Sequence, residues 1–196
     1  MAPPRRLTAD DVIDCAEALI QADGLAALSA RRVAAALGVS RQVVYTHFDG
    51  MHGILEELHL RSGRYLAETV QHLADMEDAD RRLEAAAHAN VAYSRTRPAL
   101  FGLTFGAPVP DYSPSPETTA ALQDVFRVEI AGLVGGWHAD NGVEIDARLL
   151  LDRTRVYWSS IHGLVTLERA GHAAHAETDR LVDELTRTLL TGWRGA

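Results

Sequence analysis

The sequence predicts an all-α fold in two parts, a small N-terminal module of three short helices and a larger body of long ones. Three observations carry that expectation. No segment alternates apolar and polar residues with period two between turn residues, which removes the strand signal. Alanine, leucine and arginine, all good helix formers, dominate the composition. All seven prolines lie at positions 3–4 or between 98 and 116, so the rest of the chain is free of helix breakers.

The elements follow from caps and apolar spacing. Thr8 and Asp11 have capping-box spacing, with Asp in place of the usual Glu or Gln, and Gly24 suits a stop, giving a first helix over about 8–23. Val12, Ala16, Leu19 and Ile20 form its apolar stripe. Ser29 caps a second helix that ends at Leu37-Gly38, and a third starts after Ser40 and ends near Phe48. A fourth runs from about Gly50 to Ala74. Helices are then expected at 79–96, 98–105, 117–138, 145–171 and 176–192. The loop from Gly106 to Pro116 holds four prolines, and Gly142 and Gly171 mark breaks.

Composition bounds the function. The 196 residues are 47% hydrophobic and 23% charged, enough to bury a core and too apolar for wholesale disorder. One cysteine, Cys15, excludes an internal disulfide framework and a cysteine-based zinc finger. No apolar run approaches the roughly 20 residues that span a bilayer. Met1 to Arg6 is followed by no apolar segment of the secretory kind, so a cytoplasmic protein with no membrane partner is expected.

The formal charge of −8 comes from 19 arginines, with no lysine, against 27 acids, and taken whole it argues against a nucleic-acid partner. Its distribution argues otherwise. Residues 1–9 hold Arg5 and Arg6, residues 24–48 hold Arg31, Arg32 and Arg41, and neither stretch holds an acid. The remainder sets 14 arginines against all 27 acids. An acid-free window in so acidic a chain suits a surface that meets a polyanion; chance and an alanine-rich buried helix would give the same window.

Ser29 to Phe48, SARRVAAALGVSRQVVYTHF, separates these readings. Two caps bracket a short helix with Gly38 at the turn, the spacing of a helix-turn-helix, and Ala34, Ala35 and Ala36 allow close approach. An ordinary αα-hairpin shares that spacing. On a helical wheel with Val44 buried, Phe48 and Arg41 fall within about 60° of it, while Gln42 and Thr46 point away, flanked by Tyr45 and Val43. Gln42 suits an adenine edge and Val43 a thymine methyl. Tyr45, Thr46 and His47 suit phosphate oxygens.

The stripe of the first helix, Leu28-Ser29-x-Arg31, Leu37-Gly38-Val39-Ser40 and the closing Val44-Tyr45-x-His47-Phe48 together resemble the DNA-binding domain of TetR-type repressors over the first sixty or so residues. The resemblance implies Ser29, Arg41, Tyr45 and His47 near phosphate, and Gln42, Val43 and Thr46 near bases. With Arg31, Arg32 and Ser40 these form the expected DNA face. One position departs: the family usually has a lysine early in helix four, where this chain has Met51, and His52 beside it is expected to take part of that role.

A single helix-turn-helix makes few base contacts, so a dimer presenting two reading helices about 34–36 Å apart is expected. Residues 145–171 carry leucine, isoleucine, valine and aromatic residues around most of the helix, which must therefore bury more than one face. Ser159 and Gly163 leave a shallow spot there. With Leu164, Leu167, Leu185 and Leu189 they make the expected interface, a four-helix bundle of two helices per subunit. A core helix in a monomer is the other reading. Trp158-x-x-x-His162-Gly163-Leu164-Val165-x-Leu167 resembles the tryptophan/histidine-glycine subclass of TetR C-terminal domains, which implies ligand sensing. Tyr93, Phe101, Phe105, Phe126, Trp137, Trp158 and His162 are candidate linings for a pocket taking a small, largely apolar effector, although each could simply fill the core.

Other classes fare worse. There is no nucleophile elbow and no phosphate-cradling glycine loop, and Gly132-x-x-Gly135-Gly136 has the wrong spacing for a dinucleotide. Cys15 has no evident base and reads as a small buried residue. His172, His175 and Glu177 make only a weak metal set on a loop, so neither metal nor cofactor is expected. A helical dimeric scaffold that touches no DNA leaves the acid-free face unexplained. The sequence therefore points to a homodimeric DNA-binding regulator and not an enzyme, a repressor released from a palindromic operator by a small molecule. The DNA-binding domain is expected at 6–52 with its motif at 29–48, a linking helix at 50–74, and a ligand-binding and dimerisation domain at 75–196.

Overall fold

A computed structural model describes residues 7–106 and 109–195; Arg5 and Arg6 lie outside the described residues. The helices are α1 (Ala9–Asp23), α2 (Ala30–Leu37), α3 (Arg41–His47), α4 (Gly50–Leu73), α5 (Ala79–Thr96), α6 (Pro98–Phe105), α7 (Pro116–Val125), α8 (Ala131–Asp140), α9 (Ala147–Arg169) and α10 (His175–Arg194). No strand forms among the described residues.

Local chemistry sets the boundaries. Thr8 and Asp11 close the capping box: the Asp11 amide donates to the Thr8 hydroxyl at 3.2 Å and the Thr8 amide to Asp11 Oδ2 at 2.8 Å. Gly24, at φ 80°, ends α1 by donating to the Ile20 carbonyl, and a single 3₁₀ turn over Leu25–Ala27 follows that the apolar spacing does not announce. Ser29 caps α2 by accepting from the Arg32 amide. Ser40 holds the cap position of α3, but its side chain makes no capping bond. Asp146 caps α9 through the Leu149 amide at 2.8 Å. The helix expected over 117–138 runs on from α7 into α8 with one change: Phe126–Ile130 forms a π-helical segment. Such a bulge inserts a residue into the ladder and leaves no periodicity signal.

Gly38 is where the backbone is most demanding. It ends α2 in the left-handed region at φ 67°, and its amide and that of Val39 return to the Ala34 and Ala35 carbonyls. An added Cβ would meet no atom within 4 Å, so only the backbone opposes substitution. Gly38→Val is expected to cost about 1–2 kcal/mol in chemical denaturation and Gly38→Asn clearly less. Equal losses would show that space, and not φ, sets the requirement.

The described chain divides into two compact units, and the division is not sequential. Unit 1 joins residues 1–63 to 97–121, and unit 2 joins 64–96 to 122–196. Within unit 1, Val12, Ile13, Ala16, Ile20, Val33, Val44, Ile54, Leu58 and Leu100 are each at most 1% exposed. Arg61 ties α4 to α1 through Asp14 at 2.6 Å and Glu17 at 3.1 Å. Arg97 pairs with Glu17, and Gln21 accepts from the Ala99 amide at 3.1 Å. The segment expected to belong to the C-terminal body thus packs on α1. Unit 2 closes around Leu83, Tyr93, Val134, Trp137, Tyr157, Ile161, Val165 and Val182, and the Tyr157 hydroxyl donates to the Leu83 carbonyl at 2.6 Å.

Candidate nucleic-acid interface

Helix α3 buries Val44 completely and turns its other side chains outward. Arg41, Gln42, Tyr45 and Thr46 are exposed, and Val43 and His47 are half-buried. The wheel assignment therefore holds for Val44, Gln42, Thr46 and Tyr45. Arg41 lies further from the core than its wheel position suggested. An N-terminal helical residue has no preceding turn to lean on, so a long side chain there escapes to solvent.

The other expected DNA-face residues divide by what already holds them. Arg31 is exposed. Arg32 already has partners: its guanidinium donates to the Ala27 carbonyl at 3.3 Å and pairs with Asp23, linking the 3₁₀ turn to α2. Ser29 spends its side-chain oxygen on the α2 cap, whereas Ser40 is exposed. The Thr46 hydroxyl donates to the Gln42 carbonyl at 2.9 Å, which leaves its methyl and the oxygen's acceptor lone pairs to meet a base edge. Tyr45 is 49% exposed, and its ring lies 3.4 Å from where a Cβ on Gly50 would sit. Gly50, at φ 59°, gives that ring its room.

His52 stands in a network that the sequence did not reveal. It is exposed, 3.5 Å from Glu56 and edge-on to the Tyr112 ring at 5.2 Å. Glu56 accepts from the Ser115 amide and hydroxyl, each at 2.8 Å, from Tyr112 at 3.3 Å, and from Thr118. Partial burial works to raise the Glu56 pKa, but these hydrogen bonds outweigh it and hold the carboxyl below its usual range. Tyr112 also contacts His59 Nδ1 at 2.9 Å. The start of α7 is thereby fastened to α4. Ser115-Pro116-x-Thr118 is a capping pattern in the sequence, but nothing local shows that Glu56, 59 residues away from Ser115, completes it.

In unit 2 the expected interface residues are all at least partly exposed. Leu167 is 48% exposed, Ser159 and Gly163 are exposed, and Leu164, Leu185 and Leu189 are half-buried. Val156 is also 49% exposed, and Leu164 and Leu185 line one shallow apolar groove with Ser160 and Leu181.

The expected pocket residues are divided between the two units. Phe101 and Phe105 belong to unit 1, with ring centroids 5.0 Å apart. Tyr93 stacks on Tyr65 at 4.7 Å in the unit 2 core. Trp137 donates its indole N–H to Asp80 at 2.7 Å and packs edge-on to Trp193, which is a structural role. Within unit 2, Phe126 and His162 both lie against Trp158, at 6.4 Å and 4.4 Å between centroids, with Phe126 on the π segment. Asn90 is 2% exposed, and neither atom of its carboxamide has a hydrogen-bond partner. A buried amide of that kind costs about 1–3 kcal/mol unless something outside the chain satisfies it, so it marks unit 2 more clearly than the aromatics do.

Comparison with known proteins agrees with this architecture. Residues 12–58 match the model of bacterial regulatory proteins of the tetR family. Residues 83–189, more than half the chain, match that of the tetracyclin repressor-like C-terminal domain. An HTH-type transcriptional regulator of Mycobacterium bovis is 33% identical over 102 residues, 50% of this chain and 44% of that relative, so the chain matches less than half of that relative's length. A protein of unknown function from Rhodococcus sp. RHA1 shares the fold at TM-score 0.83 and 21% identity, covering 98% of each chain. The regulator FadR of Bacillus subtilis, solved with stearoyl-CoA, shares it at TM-score 0.71 and 13% identity, over 94% of this chain and 99% of that one. The chain belongs to the tetR family of bacterial regulatory proteins.

Proposed function

We propose that the protein is a homodimeric repressor that reads a palindromic operator with α3 and leaves it when a small, largely apolar molecule occupies unit 2. The outward face of α3 carries this reading: it offers Gln42, Val43, Tyr45 and the Thr46 methyl, with no acid anywhere in residues 24–48. Residues 6–52 would read DNA, helix 50–74 would link, and 75–196 would bind effector and partner. It would work in the cytoplasm and by binding alone, with no catalytic step. Arg31, Arg41, Tyr45 and His47 would hold phosphates, with Ser29, Ser40 and His52 at the margin and Arg32 acting through the shape of the turn.

The apolar surface of α9 and α10, from Val156 through Leu164 and Leu167 to Leu185 and Leu189, supports the dimer as a four-helix bundle. The unsatisfied Asn90 amide and the Phe126, Trp158 and His162 cluster support an effector with an apolar body and a polar handle. Stearoyl-CoA in the Bacillus subtilis neighbour is a ligand of that general kind. Release requires the effector to bind one spacing of the two reading helices better than the other.

Anisotropy with duplexes from the protein's own promoter tests this. Affinity should fall with salt at about 0.9 log units per log unit for each phosphate neutralised. Gln42→Ala should cost about 1–3 kcal/mol on the preferred site and relax its sequence preference, whereas His47→Ala should weaken all sequences alike. Binding indifferent to salt and sequence, or a monomer at micromolar concentration, would refute the reading.

A further inference from the structure

One side-chain cluster in unit 2 has no part in DNA reading, dimerisation or the aromatic cluster. Glu84 and His88 stand one turn apart on α5, and Asp183 and Thr186 nearly one turn apart on α10. Single ligand atoms of Glu84, His88 and Asp183 all lie within 4.8 Å of one another. His88 Nε2 and Asp183 Oδ1 are 2.6 Å apart. Glu84, Asp183 and Thr186 line the same cleft, about 140 Å³ in volume, which has room for an ion and its remaining waters.

Thr186 supplies an independent sign that something binds there. It is 2% exposed, yet its hydroxyl oxygen has no hydrogen-bond partner. A buried hydroxyl normally finds one, and mid-helix threonines in this chain donate to the carbonyl four residues back, as Thr154 and Thr166 do. The other charged groups around the cleft are engaged. Asp80 is held by both contacts from Arg194 and by Trp137, and Arg187 by Glu184.

We infer that Glu84, His88 and Asp183, with the Thr186 hydroxyl, form a binding site for a first-row divalent metal ion, zinc by preference, that clips α5 to α10. One imidazole and two carboxylates form a mixed nitrogen and oxygen set. Magnesium and calcium favour all-oxygen shells, and the absence of thiolate disfavours copper(I). Zinc accepts imidazole at about 2.0–2.1 Å and carboxylate at about 2.0–2.2 Å, so the cluster needs to contract slightly around it. Binding at His88 Nε2 requires that nitrogen to give up its proton: a neutral ring then carries one on Nδ1 by exchange with solvent, with no net release, and a doubly protonated ring releases one to solvent.

The test uses the full chain, stripped with chelator and titrated with zinc chloride by calorimetry and thermal denaturation. One ion per chain is expected, with a rise of about 5 °C in Tm at a hundredfold excess over Kd. Glu84→Gln and His88→Ala should each remove most of that rise. Glu84 makes no hydrogen bond or ion pair among the described residues, so Glu84→Gln should keep the Tm of the stripped parent and report on metal alone. A His172→Ala/His175→Ala variant should retain the full effect, which separates the site from the exposed loop histidines. The inference is overturned if zinc gives no shift in the parent, or if Glu84→Gln and His88→Ala respond as the parent does. DNA binding by stripped protein is a separate readout, so failure here leaves the repressor reading intact.

Discussion

Arg95→Met is expected to lower stability by about 3 kcal/mol, a fall in Tm of roughly 6–12 °C for a chain of this size. Arg95 reaches from α5 to two other elements at once. Its guanidinium meets both oxygens of Glu168 at 2.9 Å and 2.7 Å, Asp179 on α10 at 2.9 Å, and the His175 carbonyl at 3.0 Å. The Glu168 side chain is 7% exposed, and the hydrogen bond from Arg95 is the main reason its carboxyl is held down at about 2. Removing the cation leaves that carboxylate with little water and only the Thr178 hydroxyl and the exposed His175 nearby. Breaking a buried pair from one side costs about 3–5 kcal/mol, and the 24% exposure of Arg95 places this case at the lower end. Replacing both partners with apolar residues, Arg95→Met with Glu168→Leu, should recover most of the loss, because no charge is then stranded. A single-variant loss below about 1 kcal/mol, or no recovery in the double variant, would show that the clamp is a solvated surface pair.

The Arg95 clamp also shows where sequence reading ends. Caps, glycines and apolar spacing are local, and they place every long helix within a few residues, from Thr8 and Gly24 around α1 to Gly142 and Gly171 around α9. The buried side of α3 is legible for the same reason, since the periodicity of seven residues decides it. Arg95 and Glu168 are 73 positions apart, and Glu56 and Ser115 are 59 apart. No local pattern pairs them. Arg32 shows the same limit at short range: on charge it belongs to the DNA face, but the turn over Leu25–Ala27 brings the Ala27 carbonyl and Asp23 within its reach. The aromatic residues show another limit. Trp137, Tyr93 and Phe101 are large and apolar, which suits a core and a pocket wall alike, and all three are buried. The better mark of a pocket is Asn90, a polar residue on the buried side of α5. In a helical pattern it looks like one tolerated exception.

Acid should unfold the protein in two stages, and the first depends on histidines. His138 is buried, with Nδ1 2.7 Å from the Val134 carbonyl and Nε2 2.5 Å from Arg153 Nη1. Nδ1 therefore carries the proton and Nε2 accepts from the guanidinium. A second proton would remove that acceptor and set two cations face to face, with Arg153 itself buried and lying over Trp193 at 5.6 Å. Burial lowers the His138 pKa, and the Arg153 charge adds to the effect against the Val134 hydrogen bond. Burial also lowers His59 and His162, against backbone hydrogen bonds that favour the charged form. Each of these groups refuses, when folded, a proton that the unfolded chain accepts near pH 6.5. Their stabilisation is thus complete above about pH 7 and is lost as pH falls from 6.5 through the folded values. Glu168 acts lower down: the unfolded carboxyl protonates near 4.5 and the folded one at about 2, so a second loss lies between those values. Melting curves from pH 8 to pH 4 should be level at the alkaline end and fall below pH 6.5. Glutamine at position 138 can still accept from Arg153 but cannot be protonated there, so His138→Gln should flatten the fall between pH 6.5 and 5 without abolishing it, His59 and His162 being intact. A Tm constant from pH 7.5 to 5, or an unchanged slope in His138→Gln, would mean that water reaches these rings and that the packing around Arg153 tolerates the second charge.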